Sequence, residues 1–206
     1  GTMIPITYSH KSSTKLDNNT PIFLYAYGGY NISIRPAFTP KYVAWLEMGG
    51  VLAVANIRGG GEFGKAWHNA GRLDTKQNVF DDFLYASKFL EENSIGNRKS
   101  TVISGRSNGG LLVGTTLVQN PNYFGAALPA VGVMDMIRFT EFTEGWGWRG
   151  DYGYPILDQA HFHRNLKISP YHQTKIDVCY SPTLTTTARR DDRVVPSHSY
   201  KFTARL

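Results

Sequence analysis

The chain has 206 residues, 41% of them hydrophobic and 18% charged, a composition that excludes an intrinsically disordered protein. Its net charge is +6, but the basic residues are scattered, and the densest pair, Arg189 and Arg190, is followed at once by Asp191 and Asp192. This scatter argues against a nucleic-acid partner. The single cysteine, Cys179, excludes a disulfide scaffold, and no run of 18 apolar residues is present to span a membrane. With no recognisable signal segment, we expect a cytoplasmic protein without a membrane partner.

The apolar pattern predicts strands that alternate with helices. Short apolar runs bounded by turn residues predict strands over 3–10, 21–25, 51–55, 101–104, 124–130 and 182–187. Apolar residues at helical spacing predict helices over 41–48, about 76–93, from about 108 through Leu117, and from 196 onward. Strands separated by helices are typical of a mostly parallel sheet with helices on both faces. We therefore predict one α/β domain over residues 1–206.

A five-residue motif, Gly105-Arg-Ser-Asn-Gly109, lies between a predicted strand and a predicted helix. It fits the G-x-S-x-G elbow, in which a sharp, strained turn lifts a serine hydroxyl to the top of a sheet. Small residues two positions before and after the serine avoid a collision within that turn. We predict that Ser107 is a nucleophile and that the N–H of Asn108 stabilises an oxyanion. A purely structural turn serine is the alternative.

A serine nucleophile needs a base that a carboxylate orients, and in such a sheet the chain order is Ser, Asp, His. Asp191 follows the last predicted strand, where parallel sheets keep their sites, so it is the candidate acid. A solvated charged loop is the alternative. Of six histidines only His198 follows Asp191, and it lies 7 residues on, at a predicted helix. We therefore expect the catalytic histidine to lie outside this chain.

Longer segments resemble the prolyl oligopeptidases, a family of serine peptidases, over nearly the whole chain. The resemblance is carried by Tyr25-Ala-Tyr-Gly-Gly-Tyr-Asn31, Ala55-Asn-Ile-Arg-Gly-Gly-Gly-Glu-Phe-Gly64, Ser107-Asn-Gly-Gly-Leu-Leu112, Val131-Gly-Val-Met-Asp-Met136, Asp151-Tyr-Gly153 and Asp191-Asp-Arg-Val-Val-Pro196. It implies an α/β-hydrolase fold truncated at the C-terminus, with a β-propeller domain and a C-terminal histidine segment expected elsewhere in a full-length protein. Arg106 departs from the glycine usual in the family at that position.

The resemblance also implies roles for individual residues. Ser107 would be the nucleophile, Asp191 the triad acid, and the Tyr27 phenol an oxyanion donor beside the Asn108 N–H. Trp148 would stack on the substrate proline, and Arg193 would hold a substrate carbonyl on the acyl side. The same pocket would be lined by Tyr30, Val133, Tyr152 and Val194. A flat aromatic slot suits a rigid pyrrolidine ring that carries no N–H.

Two other motifs point to different functions. Gly59-x-Gly61-x-x-Gly64 matches a dinucleotide fingerprint, but no clear helix is predicted after it, so we interpret the glycines as a tight loop beside the site. His161-x-His163 lacks a third ligand at suitable spacing, so we expect no metal. Because the glycine motif is interpreted as a loop, we expect no cofactor either.

The leading hypothesis is a serine peptidase that cleaves short proline-containing peptides on the carboxyl side of proline through an acyl-enzyme. A related serine esterase is one alternative. Another is a catalytically inactive fragment or pseudoenzyme that acts as a binding module. For the isolated 206 residues we expect little or no peptidase activity, because the base is missing.

Overall fold

The computed structural model describes all 206 residues, and one five-stranded sheet organises them. The strands are β1 (Ile6–Ser9), β2 (Ile22–Tyr25), β3 (Val51–Ala55), β4 (Thr101–Arg106) and β5 (Ala126–Ala130). Their order across the sheet is β1-β3-β2-β4-β5. β1 pairs antiparallel with β3, and the other three pairs are parallel. The predicted, mostly parallel sheet is confirmed.

Eight helices and three 3-10 turns connect and cover the strands. The helices are α1 (Pro40–Glu47), α2 (Gly64–Asn69), α3 (Gln77–Glu92), α4 (Asn108–Gln119), α5 (Arg149–Tyr152), α6 (Gln159–Ile168), α7 (Pro170–Gln173) and α8 (Ser197–Arg205). The 3-10 turns are Leu73–Thr75, Phe139–Glu141 and Gly145–Trp148. No helix among them has both the length and the apolar character that crossing a bilayer requires.

Helices cover both faces of the sheet, because successive side chains of a strand point to opposite sides. On one face, Phe23 of β2 contacts Tyr42 and Trp45 of α1. On the other face, Ile22 and Leu24 are fully buried in the main core of 29 apolar residues, to which α3 and α4 contribute. The predicted helices at 41–48, 76–93, 108–117 and 196–206 are confirmed as α1, α3, α4 and α8.

Two sequence expectations are wrong in detail. Residues 182–187 do not form a full strand; they touch β5 through two isolated parallel bridges, Ala127 to Thr183 and Ala130 to Thr186. The ladder is interrupted at Pro129 of β5, which has no N–H to donate to this segment. The glycine cluster is followed by a helix after all, the six-residue α2. Such a short helix carries too few apolar positions to show a periodic pattern.

Candidate active site

Ser107 joins β4 to α4 in a conformation that few side chains adopt. Its φ is +58° and its ψ is −116°. Such a backbone costs about 1–3 kcal/mol and persists only when surrounding contacts hold it. Here the N–H of Ser107 donates to the carbonyl of Ala130 (2.9 Å), and its own carbonyl accepts from Gly110 (2.8 Å) and Leu111 (3.1 Å). The turn is therefore fixed between β5 and the first turn of α4.

The glycines of the elbow are required by close backbone packing. A Cβ on Gly105 would lie 2.2 Å from the carbonyl oxygen of Gly109, and one on Gly109 would lie 2.9 Å from that of Ala26. One on Gly110 would lie 2.6 Å from the Ala130 oxygen. The predicted need for small residues two positions on either side of Ser107 is confirmed.

A cavity of about 560 Å³ opens over Ser107. Five of the predicted site residues line it together: Tyr27, Ser107, Asp191, Arg193 and Val194. The rest of its wall consists of Tyr25, Ile32, Ile34, Arg106 and Val131. Residues more than 80 positions apart in sequence thus meet at the carboxyl ends of the parallel strands, where such sheets place their ligands.

Two hydrogen-bond donors are available beside the Ser107 hydroxyl. Burial raises the pKa of Tyr27, while the neighbouring Ser107 hydroxyl and the charge of Arg193 partly oppose that rise, so the phenol keeps its proton at neutral pH. Asn108 is the first residue of α4, so its N–H has no acceptor within the helix. The Asn108 side chain donates to the carbonyl of Tyr27 (2.5 Å) and so links the two donors.

Asp191 presents one free carboxylate oxygen. Its Oδ1 accepts hydrogen bonds from the N–H groups of Arg193 (3.0 Å) and Val194 (2.9 Å), which fix the side chain in the loop before α8. Its Oδ2 accepts no hydrogen bond from the protein. An oxygen of this kind can orient the N–H of an imidazole.

No histidine contributes to the wall of the Ser107 cavity. His198 lies on α8, as predicted, and is 1% exposed, with its ring against Phe142. Its Nδ1 accepts the N–H of Asp135 (3.1 Å). His68 instead pairs with the buried Asp151 (3.0 Å).

An aromatic cluster contains the remaining predicted pocket residues. The half-buried Trp148 ring stacks on Phe139, with centroids 6.4 Å apart and planes at 10°. Tyr152 meets Tyr30 edge-on (5.6 Å) and Phe139 likewise (5.5 Å). Tyr152 and Val133 are only 1% and 2% exposed, and neither they nor Trp148 and Tyr30 line the Ser107 cavity. Their expected contact with substrate stays a prediction.

The sequence analysis missed two residues beside the candidate site, Phe139 and Lys76, and the contact that a third, Asp151, makes there. Phe139 supports the Trp148 ring, and no motif marks it. Asp151 accepts the N–H of Tyr30 (2.8 Å), a residue with φ +57°, so it holds the loop after β2. Its place in a motif was noted, but its partner lies 121 positions away. Lys76 is a buried lysine that hydrogen-bonds Asn108 (3.1 Å), and nothing in its sequence context distinguishes it.

The glycines at positions 59 and 61 allow the loop after β3 to pack closely against the loop after β2. A Cβ on Gly59, whose φ is +91°, would lie 2.6 Å from the Gly28 carbonyl oxygen, and one on Gly61 would lie 2.4 Å from that of Asn31. The glycines therefore let this loop approach the segment that carries Tyr27. Their interpretation as a tight loop beside the site is confirmed.

The chain matches the model of the prolyl oligopeptidase family over residues 36–206. It is 48% identical to the prolyl endopeptidase of Elizabethkingia miricola and 43% identical to the dual function macrocyclase-peptidase POPB of Galerina marginata. These matches cover the whole chain but only 29% and 28% of the two relatives. The chain thus spans less than a third of their length.

Solved structures give the same result. A structure from a study of two prolyl endopeptidases superimposes with a TM-score of 0.97 at 48% identity, over all of this chain and 30% of that one. Prolyl oligopeptidase B from Galerina marginata, bound to a 35mer hydrolysis and macrocyclization substrate, gives a TM-score of 0.96 at 43% identity, over all of this chain and 29% of that one. The similarity therefore extends to every strand and helix described above.

Proposed function

Because this chain belongs to the prolyl oligopeptidase family, we propose that it forms the nucleophile-bearing part of a cytoplasmic serine peptidase that cleaves short peptides after proline. The observation that carries the proposal is the shared cavity of Ser107, Tyr27 and Asp191 over a strained turn. The single cysteine, Cys179, is exposed and unpaired, as suits a reducing compartment.

In the proposed reaction, the Ser107 Oγ attacks the carbonyl carbon of the scissile bond. Its proton passes to a histidine supplied from outside these 206 residues, and the free Oδ2 of Asp191 orients that imidazole. The carbonyl oxygen becomes an oxyanion and receives hydrogen bonds from the Tyr27 phenol and the Asn108 N–H. One such donor is worth about 10² to 10³ in kcat.

The tetrahedral intermediate then collapses. The carbon–nitrogen bond breaks, the imidazolium returns its proton to the departing amine, and an acyl-enzyme remains on Ser107. A water molecule, deprotonated by the same base, attacks the ester, and the second intermediate releases the new carboxylate and restores the serine. Both steps use the same two donors.

The aromatic cluster supports proline as the residue on the acyl side. Trp148 offers a flat ring that Phe139 holds in place, and Tyr30 belongs to the same cluster through its edge-on contact with Tyr152. A pyrrolidine ring fits such a slot and leaves no N–H donor unpaired. The exposed Arg193, which makes no ion pair, can donate to a substrate carbonyl at the cavity edge.

The test is a matched substrate series with the full-length protein. Peptide amides that differ only in a proline, alanine or arginine before a fluorogenic leaving group are compared, together with a proline ester. We expect a clear kcat/KM preference for proline amides and its abolition in Ser107→Ala. A preference for alanine or arginine would remove the assignment, and ester hydrolysis without amide hydrolysis would favour the esterase.

The isolated 206 residues are the complementary test. Removal of the triad base costs about 10⁶ in turnover, so the chain alone should show no measurable amide hydrolysis. Robust hydrolysis by the isolated chain would mean that a residue within it acts as the base. If the full-length protein were inactive and Ser107 unreactive, the binding-module hypothesis would hold instead.

A further inference from the structure

Lys76 is a buried cation without a carboxylate partner. It lies immediately before α3 and is 2% exposed. Its Nζ donates to two neutral acceptors, the carbonyl of Gly28 (2.9 Å) and the Oδ1 of Asn108 (3.1 Å). Lysine is almost never fully buried unless it is paired, because burial removes the water that solvates the ammonium. Burial accordingly lowers the pKa of Lys76 to about 8, an effect that the charge of Asp151 opposes.

The two acceptors flank the two proposed oxyanion donors. Gly28 directly follows Tyr27 in the loop after β2, and Asn108 carries the second donor on its own backbone. The Oδ1 of Asn108 also accepts from the hydroxyl of the fully buried Tyr152 (2.7 Å). The ammonium therefore adds a second bridge between the Tyr27 loop and the start of α4, beside the hydrogen bond from the Asn108 side chain to the Tyr27 carbonyl.

We infer that Lys76 is a positioning residue for the oxyanion site, one that holds the Tyr27 phenol and the Asn108 N–H in convergence on a single oxygen. The inference rests on the proposed function. A displacement of about 1 Å in a catalytic group costs on the order of 10² in rate, so a bridge of this kind acts on turnover rather than on substrate binding. It also explains why a costly buried charge is present at this point in the fold.

The experiment compares Lys76→Met with the unchanged full-length protein. Methionine keeps the apolar stem but removes both hydrogen bonds. We expect kcat for a proline amide to fall by about 10-fold to 100-fold while KM changes by less than about twofold. Affinity for a peptide aldehyde ending in proline, which forms a tetrahedral adduct with the serine, should fall by the same factor as kcat. Affinity for the product peptide, which makes no such adduct, should not change.

The matched control is Lys88→Met, within α3, the helix that Lys76 directly precedes. Lys88 lies over the exposed Tyr85 ring (4.5 Å) and does not touch the cavity, so its replacement should leave all four quantities unchanged. Thermal midpoints of the variants establish that they are folded. If Lys76→Met is unfolded, Lys76→Gln is measured in its place; its neutral amide, on a side chain shorter than that of lysine, replaces the ammonium, and it should show the same separation of kcat from KM.

Several results would overturn the inference. Lys76→Met with unchanged kcat and aldehyde affinity would do so, as would an equal loss of aldehyde and product affinity, which marks a general structural role. Unfolding of both lysine variants would also assign Lys76 to stability alone. These outcomes leave the proposed function intact as long as the full-length protein without substitutions cleaves proline amides. If that protein cleaves no proline amide, the proposed function itself is refuted.

Discussion

His198 offers a test of the fold that needs no enzymatic activity. Its ring is 1% exposed, its Nδ1 accepts the N–H of Asp135 (3.1 Å), and its Nε2 has no partner. Burial lowers the pKa of His198 to about 4; the charge of Asp135 opposes that shift and the charge of Lys201 adds to it. His172 also faces the Asp135 carboxylate, at 3.9 Å. The folded protein therefore holds His198 neutral.

The sign of the pH dependence follows from that shift. Because the ordinary pKa of histidine is 6.5, the unfolded chain binds a proton at this position before the folded chain does. The contribution of His198 to stability is fully present above about pH 6.5 and is lost as the pH falls toward 4. Each pKa unit is worth about 1.4 kcal/mol, so the loss reaches about 2–3 kcal/mol near pH 4.5.

The assay is urea unfolding of the chain, followed by circular dichroism between pH 7.5 and 4.5, in the natural sequence and in His198→Asn. The asparagine carbonyl can still accept the Asp135 N–H but does not titrate. The difference in unfolding free energy between the two should shift by about 2–3 kcal/mol in favour of the variant as the pH falls. His163→Asn, at an exposed position, is the control and should show no such shift. Parallel pH profiles for all three proteins would refute the reasoning.

Three further outcomes are expected. Tyr27→Phe removes one oxyanion donor and should lower kcat for proline amides by about 10² to 10³ with little change in KM; an unchanged kcat would exclude Tyr27 from the site. Gly105→Ala places a Cβ 2.2 Å from the Gly109 oxygen, so it should abolish labelling of the serine by a fluorophosphonate or prevent folding, and a folded, reactive variant would contradict the elbow geometry. Phe83→Ala empties a fully buried position and should cost about 3–5 kcal/mol in urea unfolding, against less than about 0.5 kcal/mol for Tyr85→Ala on the exposed side of α3.

The sheet and the elbow could be predicted because their signals are local. A few neighbouring residues are enough to predict the strand β3 from its apolar run, Val51–Ala55. The same holds for the turn at Ser107, which its glycines indicate. Strand order then brings Asp191 to Ser107, since connections in a parallel sheet return to the same edge. The segment 182–187 shows the limit of local signals: its composition suits a strand, yet only two bridges tie it to β5.

The supporting contacts could not be predicted, because they depend on pairs that are distant in sequence. Lys76 meets Asn108 across 32 positions, and Asp151 meets Tyr30 across 121. Nothing near either residue distinguishes a buried partner from a solvated charge. The family resemblance placed Tyr152 in the substrate pocket. That its side chain is almost fully buried likewise depends on a distant partner, Phe139, which packs against its ring.

Labelling with a fluorophosphonate, followed by mass spectrometry of the digested full-length protein, tests the nucleophile directly. The account predicts one adduct, on the peptide that contains Ser107, with labelling slowed in Asp191→Asn and absent in Ser107→Ala. Adduct on another serine, or undiminished labelling of the Ser107→Ala variant, would contradict it.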